Sequence, residues 1–147
     1  MVGGLIALVV VLAAASAAGF VLRKRQGRFH PGTPGQPSSS DGLSAADLGA
    51  PLGPRATLVQ FSTEVCAYCG PTRELLTEVA RERDGVSFVE IDAADRMDLT
   101  RRLHVLSTPT VLVLDALGGI TSRASGPLRK ADLLTAVAAV VDAGGAP

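Results

Sequence analysis

The 147-residue chain has two cysteines, and they stand three apart as Cys66-Ala67-Tyr68-Cys69. That spacing covers one helical turn and brings the two sulfurs within bonding reach, so the chemistry on offer is a dithiol that closes to a disulfide and opens again. A cysteine at the start of a helix faces unpaired backbone N–H groups and the positive end of the helix dipole. Its thiolate is favoured and its pKa falls below the free value of about 8.5. Cys66 is therefore the expected nucleophile. Cys69, one turn deeper, is the expected resolving thiol, attacking Cys66 in a mixed disulfide and leaving the internal bridge behind. A merely structural bridge here would close too short a loop to stabilise much. A second register starts from Cys69-Gly70-Pro71-Thr72, a one-cysteine site with Cys69 as nucleophile. Zinc would need two further ligands from His30, His104 or carboxylates at unsuitable spacings, so neither metal nor cofactor is expected.

The elements that must position this pair follow from periodicity. Ala56 to Phe61 is a short apolar strand. From about Cys69 to Arg83, Leu75, Leu76, Val79 and Ala80 recur at helical spacing, with Val86 to Ile91 as a second strand. Asp95 and Asp98 resemble a capping box before a short helix carrying Leu99 and Leu103. Thr110 to Leu114 and Ile120 to Arg123 flank Asp115 to Gly119 as a hairpin, and a last helix runs from about Lys130 to Val141. The order strand, helix, strand, helix, strand, strand, helix predicts an α/β fold with a central mixed sheet flanked by helices. With four Phe, one Tyr and no Trp, the core must come from Val, Leu, Ile and Ala. Glu64 reads as a solvated turn carboxylate, Arg101 and Arg102 as a solvated helix face, and His104 as a charge partner at a helix end.

Ahead of these elements, Val2 to Leu22 carries no charge and one hydroxyl, and as a helix it would be roughly 31 Å long, enough to cross a bilayer. Residues 1–22 are thus expected to form a single transmembrane anchor. A cleaved signal peptide, with Ala15-Ser16-Ala17 as its cleavage site, lacks the charged n-region such peptides carry. The cluster Arg23-Lys24-Arg25 directly after the span predicts a globular domain on the cytoplasmic side of the cell membrane, in a reducing compartment. Residues 23–52, rich in Pro, Gly and Ser beyond the basic cluster, read as a flexible linker in which Leu43 to Leu52 offers a short first element. Four of the fourteen basic residues lie in Arg23 to Arg28, leaving ten against fourteen acidic ones in the rest, which speaks against a nucleic-acid partner.

Taken together, Phe61-Ser62-Thr63-Glu64-Val65-Cys66-Ala67-Tyr68-Cys69, the Leu75 helix, Ser107-Thr108-Pro109-Thr110 at a strand start and Gly126 before the last helix resemble the thioredoxin family over residues 53–143. That resemblance implies a thioredoxin-like fold and a thiol-disulfide oxidoreductase with a redox-active Cys66–Cys69 bridge. Its partners would be protein disulfide substrates and a dithiol electron donor. It also implies a cis bond before Pro109, and a substrate groove formed by Thr108 and Pro109. Counting five residues on from Phe61 puts the family's first cysteine at Cys66 and favours that register. The chain departs from the pattern at several places. Ala67-Tyr68 stands where thioredoxins have Gly-Pro. Gln60 replaces a buried aspartate that assists proton transfer, and Phe88 is taken as the counterpart of a strand lysine. Val65 replaces an aromatic residue of the partner surface, part of which Tyr68 is expected to supply. These losses leave open a non-catalytic binding or redox-sensing module, and an outward-facing domain would suit envelope disulfide reduction or cytochrome maturation.

Overall fold

A computed structural model of the chain describes residues 10–17, 19, 29–31 and 42–144. Its elements are β1 (His30–Pro31), α1 (Ala45–Leu48), β2 (Ala56–Ser62), α2 (Cys69–Glu82), β3 (Val86–Asp92), α3 (Met97–Arg102), β4 (Thr110–Asp115), β5 (Ile120–Ser125) and α4 (Lys130–Ala143). The sheet order is β1-β5-β4-β2-β3, with β2 parallel to β3 and every other pairing antiparallel. The strands and helices predicted between residues 56 and 141 form, each within a few residues of the expected ends.

Side-chain alternation along β2 divides the core in two. Ala56 and Leu58 face α2 and α4, where Leu76, Val79, Leu133 and Val137 complete one cluster. Val59 and Phe61 face the other way, against Ile91, Leu99, Leu103, Leu43 and Leu48. All seven residues of β2 are buried, because it is paired on both edges and covered on both faces.

The packed body starts earlier than residue 53. Leu43 and Leu48 are buried in the second cluster, so residues 43–48, placed above within the linker, are docked on the core through these two leucines. Local chemistry fixes the segment. Ser44 and Asp47 form a true capping box on α1, and Gly49 ends it in the left-handed region at φ 66°. Leu43 N–H donates to Gly118 C=O at 2.9 Å. Gly118 holds φ 88° in the β4–β5 turn, and a Cβ there would collide with the Leu43 carbonyl, so this glycine serves both the turn and the docking of Leu43. Arg102 pairs with Asp47 at 3.1 Å and Arg96 donates to the Asp47 carbonyl at 2.6 Å, tying α3 to α1. Arg102 thus has a partner, although it was expected to be only solvated.

The capping box expected at Asp95 and Asp98 does not form. Arg96 is the N-cap of α3 without a side-chain cap, and its guanidinium holds Asp98 at 3.1 Å. Asp92 instead closes a tight turn through Ala94 N–H. The expected transmembrane span lies mostly outside the described residues; residues 10–17 and 19 are helical, and among the described residues no helix is long and apolar enough to cross a membrane. The basic cluster Arg23-Lys24-Arg25 also lies outside them.

If Leu43 is a core residue, Leu43→Ala should lower the unfolding free energy by about 2–4 kcal/mol in urea melts with an unchanged slope. A loss below half a kcal/mol would return the segment to the linker.

Candidate active site

The site begins where β2 leaves the sheet. Thr63 to Tyr68 turn back on themselves through Cys66 N–H to Thr63 C=O at 3.2 Å, and Cys69 N–H bonds the Cys66 carbonyl at 3.3 Å. Cys66 therefore sits in the turn just ahead of α2, which opens at Cys69. Pro71 is the third helical residue, where its missing N–H would have had no partner in the helix. The two cysteines are joined as a disulfide with their Cα atoms 5.4 Å apart. Their environments differ: Cys69 is 3% exposed, while Cys66 is only partly covered.

Across from the bridge lies the loop before β4. The register Phe61 to Thr110 brings the end of β2 beside the start of β4, and Thr63 Oγ1 and Thr108 Oγ1 meet at 3.1 Å. The Thr108–Pro109 peptide is cis. Pro109 is buried, its carbonyl accepts Gly126 N–H at 2.8 Å, and Thr110 Oγ1 donates to Ser107 C=O at 2.7 Å, so the loop is held on both sides. Thr63 was not singled out from the sequence; a polar turn residue gives no sign that it will clamp a loop 45 positions away. Nor was Leu106, which is 93% exposed two residues before Thr108. With Val65 at 95% and Tyr68 at 52% exposed, it puts apolar surface on both of the loops that Thr63 and Thr108 join. Tyr68 also walls a small hollow with Pro71, Leu75 and Leu128.

Beneath the bridge is Gln60, fully buried. Its Nε2 donates to the Cys69 carbonyl at 2.9 Å. A carbonyl can only accept, so the amide must present its nitrogen there, and Oε1 is left buried with no partner. The strand neighbour of Gln60 in β3 is Glu90; Phe88 lies opposite Leu58, two pairs further from the cysteines. Glu90 is thus the β3 residue beside the site, and the strand register is what reveals it. Arg73 grips Glu90 through two bonds of 2.6 Å, and Ser62 Oγ donates to it at 2.7 Å. The Arg73 guanidinium holds the Glu90 carboxyl below its usual range, with Ser62 adding to the effect and partial burial opposing it. The site is therefore neutral directly under Cys69 and carries a tied ion pair beside it.

Glu64 is exposed and makes no tie to the bridge. His104 is exposed with φ 49°, and its carbonyl accepts from Arg123 at 2.7 Å; its imidazole is not brought to the cysteines. Arg123 also donates to Leu103 C=O at 2.6 Å, and burial pushes its pKa down. In this way it fastens the end of α3 that leads into the Thr108 loop.

A thioredoxin family model matches residues 53–139, which include the cysteine pair, Gln60 and the Thr108–Pro109 loop. The chain belongs to the thioredoxin family. Its domain carries the Cys-x-x-Cys pair in the disulfide form and has the makings of a thiol-disulfide oxidoreductase. Solved structures share the fold at low identity. A malarial protein is 16% identical, with a TM-score of 0.54 over 59% of this chain and 98% of its own. The thioredoxin of Fasciola hepatica is 20% identical, with a TM-score of 0.53 over 60% of this chain and 83% of its own. A malaria parasite thioredoxin-2, described as a component of the protein secretion machinery, is 17% identical, with a TM-score of 0.51 over 55% and 79%. No curated protein matches the sequence.

The amide at position 60 of this thioredoxin domain generates a test. In Gln60→Glu a carboxylate would face the Cys69 carbonyl, acceptor against acceptor, so the protonated acid is favoured and its pKa rises. A raised folded pKa means stability present at low pH and lost as pH rises through it. The variant should match wild type within about 1 kcal/mol near pH 5 and fall short by about 1–3 kcal/mol near pH 8, measured by urea unfolding. Because it adds a proton acceptor, it should also speed release of a trapped mixed-disulfide substrate at neutral pH. Equal stability at both pH values would show that position 60 does not face the carbonyl.

Proposed function

We propose that this chain is a membrane-anchored protein-disulfide reductase whose thioredoxin domain lies on the cytoplasmic side. The observation that carries the catalytic part is the Cys66–Cys69 bridge, with one sulfur-bearing residue partly open and the other buried, beside the clamped Thr108–Pro109 loop. In the reduced protein the Cys66 thiolate attacks one sulfur of a substrate disulfide and expels the other as a thiol. Cys69, deprotonated, then attacks Cys66, releasing the second substrate thiol and restoring the bridge. Two electrons pass from the protein dithiol to the substrate. A separate dithiol donor returns them. The extended substrate segment runs along Thr108 and Pro109, with Tyr68 offering apolar contact. Because Gln60 cannot titrate, water or another group removes the Cys69 proton.

The anchoring and its direction rest on the uncharged Val2–Leu22 run and the Arg23-Lys24-Arg25 cluster that follows it. A second reading, a thioredoxin-fold module that binds or senses without turnover, draws support from Gln60, since the amide replaces a proton acceptor at the resolving thiol.

An insulin-type reduction assay tests the catalytic part. Cys66→Ser should abolish turnover, and Cys69→Ser should attack once and accumulate a mixed disulfide. At mildly acidic pH the reduced wild type should alkylate at Cys66 well before Cys69. Faster labelling of Cys69 would instead support the Cys69-Gly70-Pro71-Thr72 register, and a wild type with no turnover would leave the module. Direction is tested separately by adding protease outside intact cells: the domain should survive, and its removal would place it outward, where envelope disulfide reduction or cytochrome maturation becomes its setting.

A further inference from the structure

Along α4 a groove of about 890 Å³ opens against the β4–β5 hairpin. One end is formed by that turn and by Arg55 just before β2, roughly 23 Å along the strand from where it leads into the cysteines, and the other end, at Asp132, follows Leu128, which walls the hollow beside Tyr68. The disulfide chemistry makes no use of it. Its volume lies in the range of small-molecule sites. Asp132, Ala136, Ala139 and Ala143 line it from one face of α4, a row roughly 16 Å long that is polar at one end and apolar along the rest. Two polar atoms in its wall are buried without partners among the described residues, Ser122 Oγ and Asp132 Oδ2. Ser122 is 8% exposed and shares its face of β5 with the core. Such orphans cost about 1–3 kcal/mol each when nothing bonds them, so the wall is set up for a head group that brings hydrogen-bond donors.

The tether indicates where such a ligand would come from. Phe29 lines the groove, and the residues after it, His30–Pro31, pair with β5. Six residues separate Phe29 from Leu22, seven steps of chain with a reach of at most roughly 25 Å. If Val2–Leu22 spans the bilayer, the groove is held within that distance of lipid. We infer that the groove binds a membrane lipid with a protonated primary amine head, its chain along Ala136–Ala143 and its ammonium at Asp132 and Ser122. The inference rests on the anchored reading proposed above.

The test uses the full chain in phosphatidylcholine vesicles containing a phosphatidylethanolamine with a diazirine in its acyl chain. Irradiation and peptide mass spectrometry should place label on Ala136–Ala143 and near Phe29. Ala139→Trp should remove that label without changing disulfide reduction. Asp132→Asn should lower it about tenfold, as should moving the diazirine to phosphatidylcholine, whose head has no N–H. Carbonate extraction of the same vesicles reports the anchor independently. A chain that stays integral but takes no label on α4, or takes it equally in Ala139→Trp, overturns the lipid site and leaves the anchor standing. A chain that carbonate releases overturns both. Cross-links from α4 to residues 10–17 in place of lipid would assign the groove to the chain's own apolar helix and overturn the proposal as well.

Discussion

The site depends on β2 having no freedom. A strand paired on both edges and covered on both faces cannot slip by one residue without sending every buried side chain into the opposite core cluster, Gln60 included. That locked register sets the pairing of Phe61 with Thr110, and so where Thr63 meets Thr108. The two loops that make the site come from opposite ends of the chain's central segment, yet a fixed strand and one hydroxyl pair hold them together. Ordering loops costs about 1–2 kcal/mol per residue in backbone entropy, far more than that pair returns, so the sheet beneath must bear the cost.

The same strand sets the electrostatics. A carboxylate in the place of Gln60 would be buried beside the Cys69 carbonyl, and if ionised it would also oppose a thiolate on Cys69. The amide avoids both penalties and spends its N–H on the carbonyl, but it gives up proton transfer and leaves Oε1 unpaired. Negative charge is moved one strand over, to Glu90, where Arg73 and Ser62 neutralise and bind it. The result is a site that holds Cys69 in place and puts no titrating group directly beneath it.

Much of this could be read from the residues because the signals are local. Short strand-like runs mark β2 and β3, the Leu75, Leu76 and Val79 spacing marks α2, and a three-residue gap is enough to predict a bridge. What escaped depends on register between distant segments. Glu90 is two residues from Phe88, and nothing short of the β2–β3 pairing says which one lies beside Gln60. Leu43 sits in a stretch whose Pro, Gly and Ser content reads as linker; its burial requires Gly118, 75 positions away, to leave room for its carbonyl. The capping-box pattern occurs at Asp95 and Asp98 as well as at Ser44 and Asp47, and only the chain's path decides that the second one forms.

The edge strand links the tether to the groove. Two residues of pairing, one of them a proline without an N–H, supply few ladder bonds, each worth about 0.5–1.5 kcal/mol net. Fixing the backbone of His30 and Pro31 costs about 1–2 kcal/mol per residue in entropy, which the ladder alone barely offsets. Phe29, packed against the core cluster beside α4, supplies the remainder by removing apolar surface from water. It follows that whatever fills the groove also gives Phe29 more to pack against, so occupancy and attachment of the tether favour each other by the same free energy. If residues 2–22 are anchored in a bilayer as proposed, such coupling would let occupancy of the groove set how tightly the domain is drawn in, by a route that does not pass through the cysteines.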